Sequence, residues 1–177
     1  MAAPRAESLF RQTIETPLGE MLMVGDGKSL LVLEFADAPD RIAAALRRRF
    51  GEATFTGGDP LGIRDRLAAY FRGDGRAIDD IPADGGGTPF QRRVWAALRA
   101  IPCGTTTSYG ALARGFGQPT ATRAVGLANG ANPIAIVVPC HRVVGADGQL
   151  TGYGGGVARK RWLLEHEGAL ARRPPIA

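Results

Sequence analysis

Apolar positions recur along this chain in two rhythms. Glu20–Val24 and Ser29–Phe35 are short apolar stretches joined by Gly25-Asp26-Gly27-Lys28, a pairing that predicts a β-hairpin. From Asp40 to Phe50 the period lengthens. Ile42, Ala43, Leu46 and Phe50 fall on one face of a helix, with arginines on the other. Residues 61–72 continue in helical spacing around Leu67, Tyr70 and Phe71. The stretch Gly73–Gly87, rich in glycine, aspartate and proline, breaks the periodicity and is the best candidate for a domain boundary.

The second half opens on a strong helix start. In Thr88-Pro89-Phe90-Gln91, threonine suits the N-cap, proline the first helical position, and glutamine the reciprocal capping partner. Phe90, Val94, Trp95 and Leu98 then form an apolar stripe, which Ile101-Pro102-Cys103-Gly104 ends. Ser108 suits the cap of a next helix that turns Leu112, Ala113 and Phe116 inward. Gly117-Gln118-Pro119 reads as a turn, and Thr120 as the cap of a helix from Ala121 to Gly130. Two short helices joined by a tight turn suggest helix-turn-helix. Asn132-Pro133 stops that helix, and Ile134–Val138 has the pattern of a buried strand. Val143-Val144 and Gln149-Leu150 flank Gly145-Ala146-Asp147-Gly148 as a second hairpin. A last helix runs from Val157 to Glu167, ended by Gly168, and the tail Arg172–Pro175 reads as disordered.

Length and charge narrow the picture. The chain has 177 residues, 45% hydrophobic and 22% charged, enough for one ordinary domain or two small ones. Its longest apolar runs fall far below the roughly 20 residues needed to cross a bilayer. The start, MAAPRAESLFRQ, has no apolar core of a signal peptide. A cytoplasmic protein without membrane partners is expected. Net charge is +5 and the isoelectric point about 9.9. Lys28 and Lys160 are the only lysines, so the basicity comes from arginine. Such a balance fits a nucleic-acid partner, although arginine-rich composition also arises from genome bias. The two cysteines, Cys103 and Cys140, and two histidines, His141 and His166, show no metal-ligand spacing, so no metal is expected.

Reactive chemistry concentrates in Pro139-Cys140-His141-Arg142-Val143-Val144. A cysteine stands at the end of an apolar run, after a proline and before a histidine. An imidazole near a thiol promotes the thiolate, which is the nucleophile. Neighbours on a strand point to opposite faces, so direct contact between Cys140 and His141 requires a turn or a bridging water. The same spacing also suits a buried structural cysteine beside an incidental histidine. Cys103, in a turn with no basic neighbour, reads as structural.

Pro139-Cys140-His141-Arg142-Val143 resembles the active-site motif of O6-alkylguanine-DNA alkyltransferases. Further landmarks follow in that family's order: Phe90-Gln91, Val94-Trp95, Ile101-Pro102, Gly104, Thr106, Tyr109, Arg123-Ala124-Val125-Gly126, Asn132-Pro133, Leu163-Leu164 and Glu167. The resemblance covers residues 88–168 strongly. Thr16-Pro17-Leu18-Gly19 resembles the family's usual opening more weakly. It implies an α/β fold in two parts. Residues 1–84 would form a small mixed α/β domain with an antiparallel, ribonuclease-H-like sheet. Residues 85–177 would form a mostly helical catalytic and DNA-binding domain with the helix-turn-helix.

The resemblance also implies a machinery. Cys140 would accept the alkyl group, His141 would deprotonate it through a water, and Glu167 would orient His141. Asn132 would brace the turn carrying the cysteine. Tyr109 would donate to guanine N3, and the carbonyls of Cys140 and Val143 would accept from the guanine 2-amino group. Tyr153 would wall the pocket, and the N–H of Gly154 would face O6. Arg123 would fill the gap left by the extruded nucleotide, with the helix in the minor groove. Ala124, Gly126 and Ala128 would let that helix approach closely. The implied partner is double-stranded DNA containing O6-alkylguanine, met by a monomer with no cofactor, each molecule acting once.

Departures from the family matter too. The zinc cysteines of eukaryotic members are absent here. Gly154 stands where serine is common, and Ala135 where some members have proline, which predicts weak inactivation by free O6-benzylguanine. Two other readings compete. A non-catalytic sensor of alkylated DNA has no use for Cys140, His141 and Glu167 together. A helix-turn-helix transcription factor usually needs a dimerisation element, and no amphipathic helix is left over for one.

Overall fold

The computed structural model describes residues 9–171. The eight residues before them and the Arg172–Pro175 tail lie outside the described residues. The described chain divides into two compact units. One holds the chain up to Gly86 together with Pro133–Val137, and the other holds Gly87–Asn132 and the chain from Val138 onward.

The first unit is built on a four-stranded sheet of β1 (Leu9–Ile14), β2 (Met21–Gly25), β3 (Leu30–Phe35) and β4 (Phe55–Gly57), in the order β3-β2-β1-β4. The hairpin read from the sequence is β2–β3, paired antiparallel with Met21 opposite Phe35. Its turn is held by the Asp26 carboxylate, which accepts from the N–H groups of Lys28 and Ser29 at 2.9 and 2.8 Å. Every residue of β2 and β3 is buried, including Glu34, whose carboxylate accepts from Arg41 at 2.6 Å. The sheet is antiparallel through β1, β2 and β3, as expected, and the short β4 adds to it in parallel with β1. Helices α1 (Pro39–Phe50) and α2 (Ile63–Phe71) complete this unit.

Two segments depart from their sequence pattern. Gly73–Gly87 is no free linker. Ile78 and Ile81 are buried, and Leu30 exchanges backbone hydrogen bonds with Pro82 and Asp84 at 2.8 and 2.9 Å. Ile134–Val138 forms no regular strand. A single bridge joins Ile134 to Leu33, the carbonyl of Pro133 and the N–H of Ala135 bond Leu33, and the chain then turns through Ile136 at φ +69°. All five residues are buried, so the apolar run reports burial rather than strand pairing. This pairing with β3 also places Pro133–Val137 with the first unit, although a division at residue 84 assigns it to the second.

In the second unit, α3 (Pro89–Arg99) begins with the predicted capping box. Thr88 Oγ1 accepts from the Gln91 N–H at 3.2 Å and the Gln91 side chain from the Thr88 N–H at 2.9 Å. Val94, Trp95 and Leu98 are buried, and Trp95 donates to the Ala128 carbonyl at 2.8 Å. Gly87 is obligatory before this helix, because a Cβ there would meet the Trp95 ring at 2.7 Å. A two-residue strand β5 (Thr107–Ser108) precedes α4 (Tyr109–Gly115), which Ser108 caps by accepting from Ala111 at 3.1 Å. After one 3-10 turn at Pro119–Ala121 comes α5 (Thr122–Gly130), then β6 (Val143–Val144) and α6 (Val157–His166). Thr120 therefore lies in the turn and caps nothing, which corrects its reading. Val143-Val144 pairs in parallel with β5 rather than in a hairpin; the Gly145–Gln149 reversal remains as a tight turn.

Candidate active site

The cysteine turn is the centre of the second unit. Pro139, with ψ 64°, turns the chain out of the buried run. Cys140–Arg142 form a 3-10 turn, closed by bonds from Arg142 N–H to the Pro139 carbonyl and from Val143 N–H to the Cys140 carbonyl. Residues 138–144 are all buried, and Cys140 itself is 6% exposed. Two asparagines hold the turn from α5 and its end. Asn132 Nδ2 donates to the Val138 carbonyl at 2.8 Å, and Asn129 Nδ2 reaches the Cys140 carbonyl at 3.5 Å.

His141 and Glu167 meet across the unit, with His141 Nε2 at 2.8 Å from Glu167 Oε1. Both side chains are wholly buried. Arg142 clasps the same carboxylate through Nε and Nη2, each at 2.9 Å, and sends Nη1 to the Ile101 carbonyl at 2.6 Å. Glu167 is the C-cap of α6, the negative end of the helix dipole, so its charge needs that guanidinium. Gly104, at φ +83°, lets the chain pass closely; a Cβ there would lie 3.0 Å from the Glu167 carbonyl oxygen.

The charge states follow. Burial disfavours the Glu167 carboxylate, but hydrogen bonds from His141 and Arg142, and their charges, outweigh it and hold the group well below its ordinary range. Burial dominates at His141 and lowers its pKa, against the opposing pull of Glu167. His141 is therefore neutral at pH 7. An ionised Glu167 requires a donor at Nε2, which leaves Nδ1 as the basic nitrogen. Nδ1 is buried and has no hydrogen-bond partner among the described residues.

Lys160, on α6, is fully buried and bonds three carbonyls: Val143 at 2.5 Å, Thr151 at 2.9 Å and Gly152 at 3.4 Å. Burial lowers its pKa to about 8, and charge at Cys140 pulls it back up. The attraction is mutual, so the ammonium favours a thiolate at Cys140. Tyr109, the first residue of α4, donates its hydroxyl to the Thr151 carbonyl at 3.2 Å. Burial raises its pKa, with Cys140 adding and the Thr151 bond opposing. It stays a phenol, a donor, throughout the neutral range. Tyr153 lies edge-on to His141, with ring centroids 6.5 Å apart, and Gly154 beside it is exposed.

The structure thus brings Cys140, His141, Glu167, Asn132, Tyr109, Val143 and Tyr153 into one unit. Sequence reading assigned no role to Arg142, Lys160 or Asn129. Lys160 had left a signal: one of only two lysines, it sits three and four residues before the apolar pair Leu163-Leu164. On α5, Arg123 and Ala124 are exposed. Ala128 is 3% exposed and faces inward, which corrects its reading as a groove-facing residue. A Cβ on Gly126 would meet the Tyr109 ring at an ordinary contact distance of 3.8 Å.

Residues 89–169 match the family model for the 6-O-methylguanine DNA methyltransferase DNA-binding domain. The chain is 52% identical over 166 residues to a methylated-DNA–protein-cysteine methyltransferase of Salmonella typhimurium, covering 92% of this chain and 97% of that one. The Mycobacterium bovis protein of that name is 49% identical over 162 residues, 88% of this chain and 90% of its own. Among solved structures, Mycobacterium tuberculosis OGT in complex with DNA aligns over 90% of this chain and 93% of that one, with TM-score 0.75 and 45% identity. With this identity running through both units, the chain belongs to the methylated-DNA–protein-cysteine methyltransferase family.

Proposed function

We propose that this protein repairs DNA by transferring a methyl or other alkyl group from O6 of guanine to Cys140 in a single turnover. One observation carries the reading. A neutral His141, held in a single tautomer by an ionised Glu167, presents an unpartnered basic nitrogen one residue from a cysteine. The Cys140 thiol gives its proton to His141, through a water, and the imidazolium is stabilised by Glu167. The thiolate attacks the alkyl carbon in line, the S–C bond forms as the C–O6 bond breaks, and the electron pair leaves with guanine. The proton returns to the guanine. The thioether has no leaving group, so the protein stays alkylated.

Lys160 favours the thiolate and occupies one lone pair of the Val143 carbonyl, leaving the other for a guanine amino group. Tyr109 would exchange its bond to Thr151 for one to guanine N3, easing the charge on the departing base. Tyr153 and Gly154 bound the pocket, and Asn132 holds the turn that aims the sulfur. On α5, Arg123 fills the space of the extruded nucleotide and Ala124 lies against the groove, with the short helix in the minor groove. The protein acts as a cytoplasmic monomer on double-stranded DNA containing O6-alkylguanine.

Intact mass after incubation with a duplex carrying one O6-methylguanine tests this. A stoichiometric gain of one methylene, about 14 Da for S–H becoming S–CH3, absent in Cys140→Ala, is expected. Binding without a mass change would replace the transferase with an alkylation sensor.

A further inference from the structure

Helix α5 carries one side chain that the repair chemistry leaves unused. Leu127 is 69% exposed, the more exposed of only two large hydrophobic residues exposed among the described residues. A single exposed leucine ordinarily needs no explanation, and its position is what gives this one meaning. It stands four residues after Arg123, on the same face of the second helix of the helix-turn-helix. Val125, Ala128 and Asn129 take the inward face, while Thr122, Arg123, Ala124, Leu127 and Gly130 are exposed. The outer face of α5 therefore presents a cation and a branched apolar side chain in line, with small or short side chains around them.

We propose that Leu127 is an apolar wedge that enters the DNA minor groove beside Arg123. The inference rests on the reading of α5 as the groove-entering helix. Apolar side chains pushed against base steps from the minor groove unstack them and bend the duplex. Four residues of helix advance about 6 Å. Leu127 thus meets the duplex about one helical turn along α5 from the position that Arg123 fills. It contacts neither the cysteine nor the extruded base. Its contribution is to holding the opened duplex, and it applies to undamaged and damaged DNA alike.

The test measures duplex affinity by fluorescence anisotropy in the Cys140→Ala protein, which binds without reacting. Leu127→Ala, Leu127→Met and Arg123→Ala are compared on an O6-methylguanine duplex and its undamaged counterpart, across a range of salt. Leu127→Ala should weaken binding about tenfold on both, as expected for losing a few buried carbons. Its salt dependence should match the parent, since an apolar contact releases no counterions. Leu127→Met should restore most of the affinity, and Arg123→Ala should lower both affinity and salt slope. Leu127 being exposed, unfolding temperatures should be unchanged. Binding of Leu127→Ala within twofold of the parent, while Arg123→Ala weakens, would remove Leu127 from the interface. A reduced salt slope in Leu127→Ala would show the effect to be electrostatic and overturn the wedge. If neither Leu127→Ala nor Arg123→Ala weakened binding, the reading of α5 as the groove helix would itself fail.

Discussion

Arg142 acts with burial to keep His141 a neutral base. Its guanidinium neutralises Glu167, so that Glu167 can order His141 without drawing a proton onto it. Consider Arg142→Met, which keeps an unbranched apolar stem and removes the guanidinium and its charge. Glu167 is wholly buried and Arg142 only 3% exposed, so the pair is in the regime where deleting one partner costs about 3–5 kcal/mol. The Ile101 carbonyl also loses its donor, worth about 1–3 kcal/mol. Protonation of His141 offsets part of this, because an imidazolium restores a counter-charge to Glu167. The net loss should be about 3–5 kcal/mol, within the roughly 5–15 kcal/mol available to a protein of this kind.

The pH dependence separates this account from generic damage. In the parent, the His141 pKa is lowered from 6.5 by burial, so the unfolded chain takes up the proton first and stability falls as pH drops through 6.5. In Arg142→Met one of the influences that lower the folded His141 pKa is gone, so that pKa moves up toward 6.5 while burial still opposes it. The loss of stability as pH drops through 6.5 therefore becomes shallower than in the parent. Urea unfolding at about pH 5.5, 6.5 and 7.5 measures both magnitude and slope. Single-turnover alkyl transfer should be slowed most near about pH 5.5 and recover toward about pH 7.5 as the imidazole is freed. A variant within about 1 kcal/mol of the parent, with the same pH slope, would show that Arg142 does not set the charge of His141.

Two further outcomes follow from the same geometry. Lys160 has its pKa lowered to about 8, so the transfer rate should decline as pH rises through that value, when the cation beside Cys140 is lost. In Lys160→Arg that falling limb should disappear, and an unaltered limb would assign it to another group. Ile136 combines φ +69° with complete burial, whereas Ile134 is buried without positive φ. Glycine at Ile136 recovers about 1–3 kcal/mol of backbone strain while losing the packed side chain. Ile136→Gly should therefore destabilise less than Ile134→Gly by about that amount in urea unfolding, and equal losses would refute the strain.

What the sequence alone determined was local or compositional. Thr88-Pro89 with Gln91 specifies a helix start because all three groups lie within one turn, and the structure shows the capping box. Gly25–Lys28 likewise specifies its turn through short-range bonds. The motif around Cys140 was legible as chemistry, because the residue types themselves define a thiol and a base. Tertiary structure decided what depends on distant partners. Leu9–Ile14 is a strand because β2 and β4 flank it, a fact its own alternation only weakly signals. Ile134–Val138 reads as a strand because an apolar run records burial, yet the backbone has one bridge and a left-handed turn there. Ala128 and Leu127 are adjacent apolar residues on one helix, and only packing turned one inward and left the other exposed. Arg142 and Lys160 became parts of the site only when folding carried them out of water to Glu167 and the Val143 carbonyl. The strength of a charge interaction depends on its surroundings, and that low-dielectric setting exists only once the chain has closed around it.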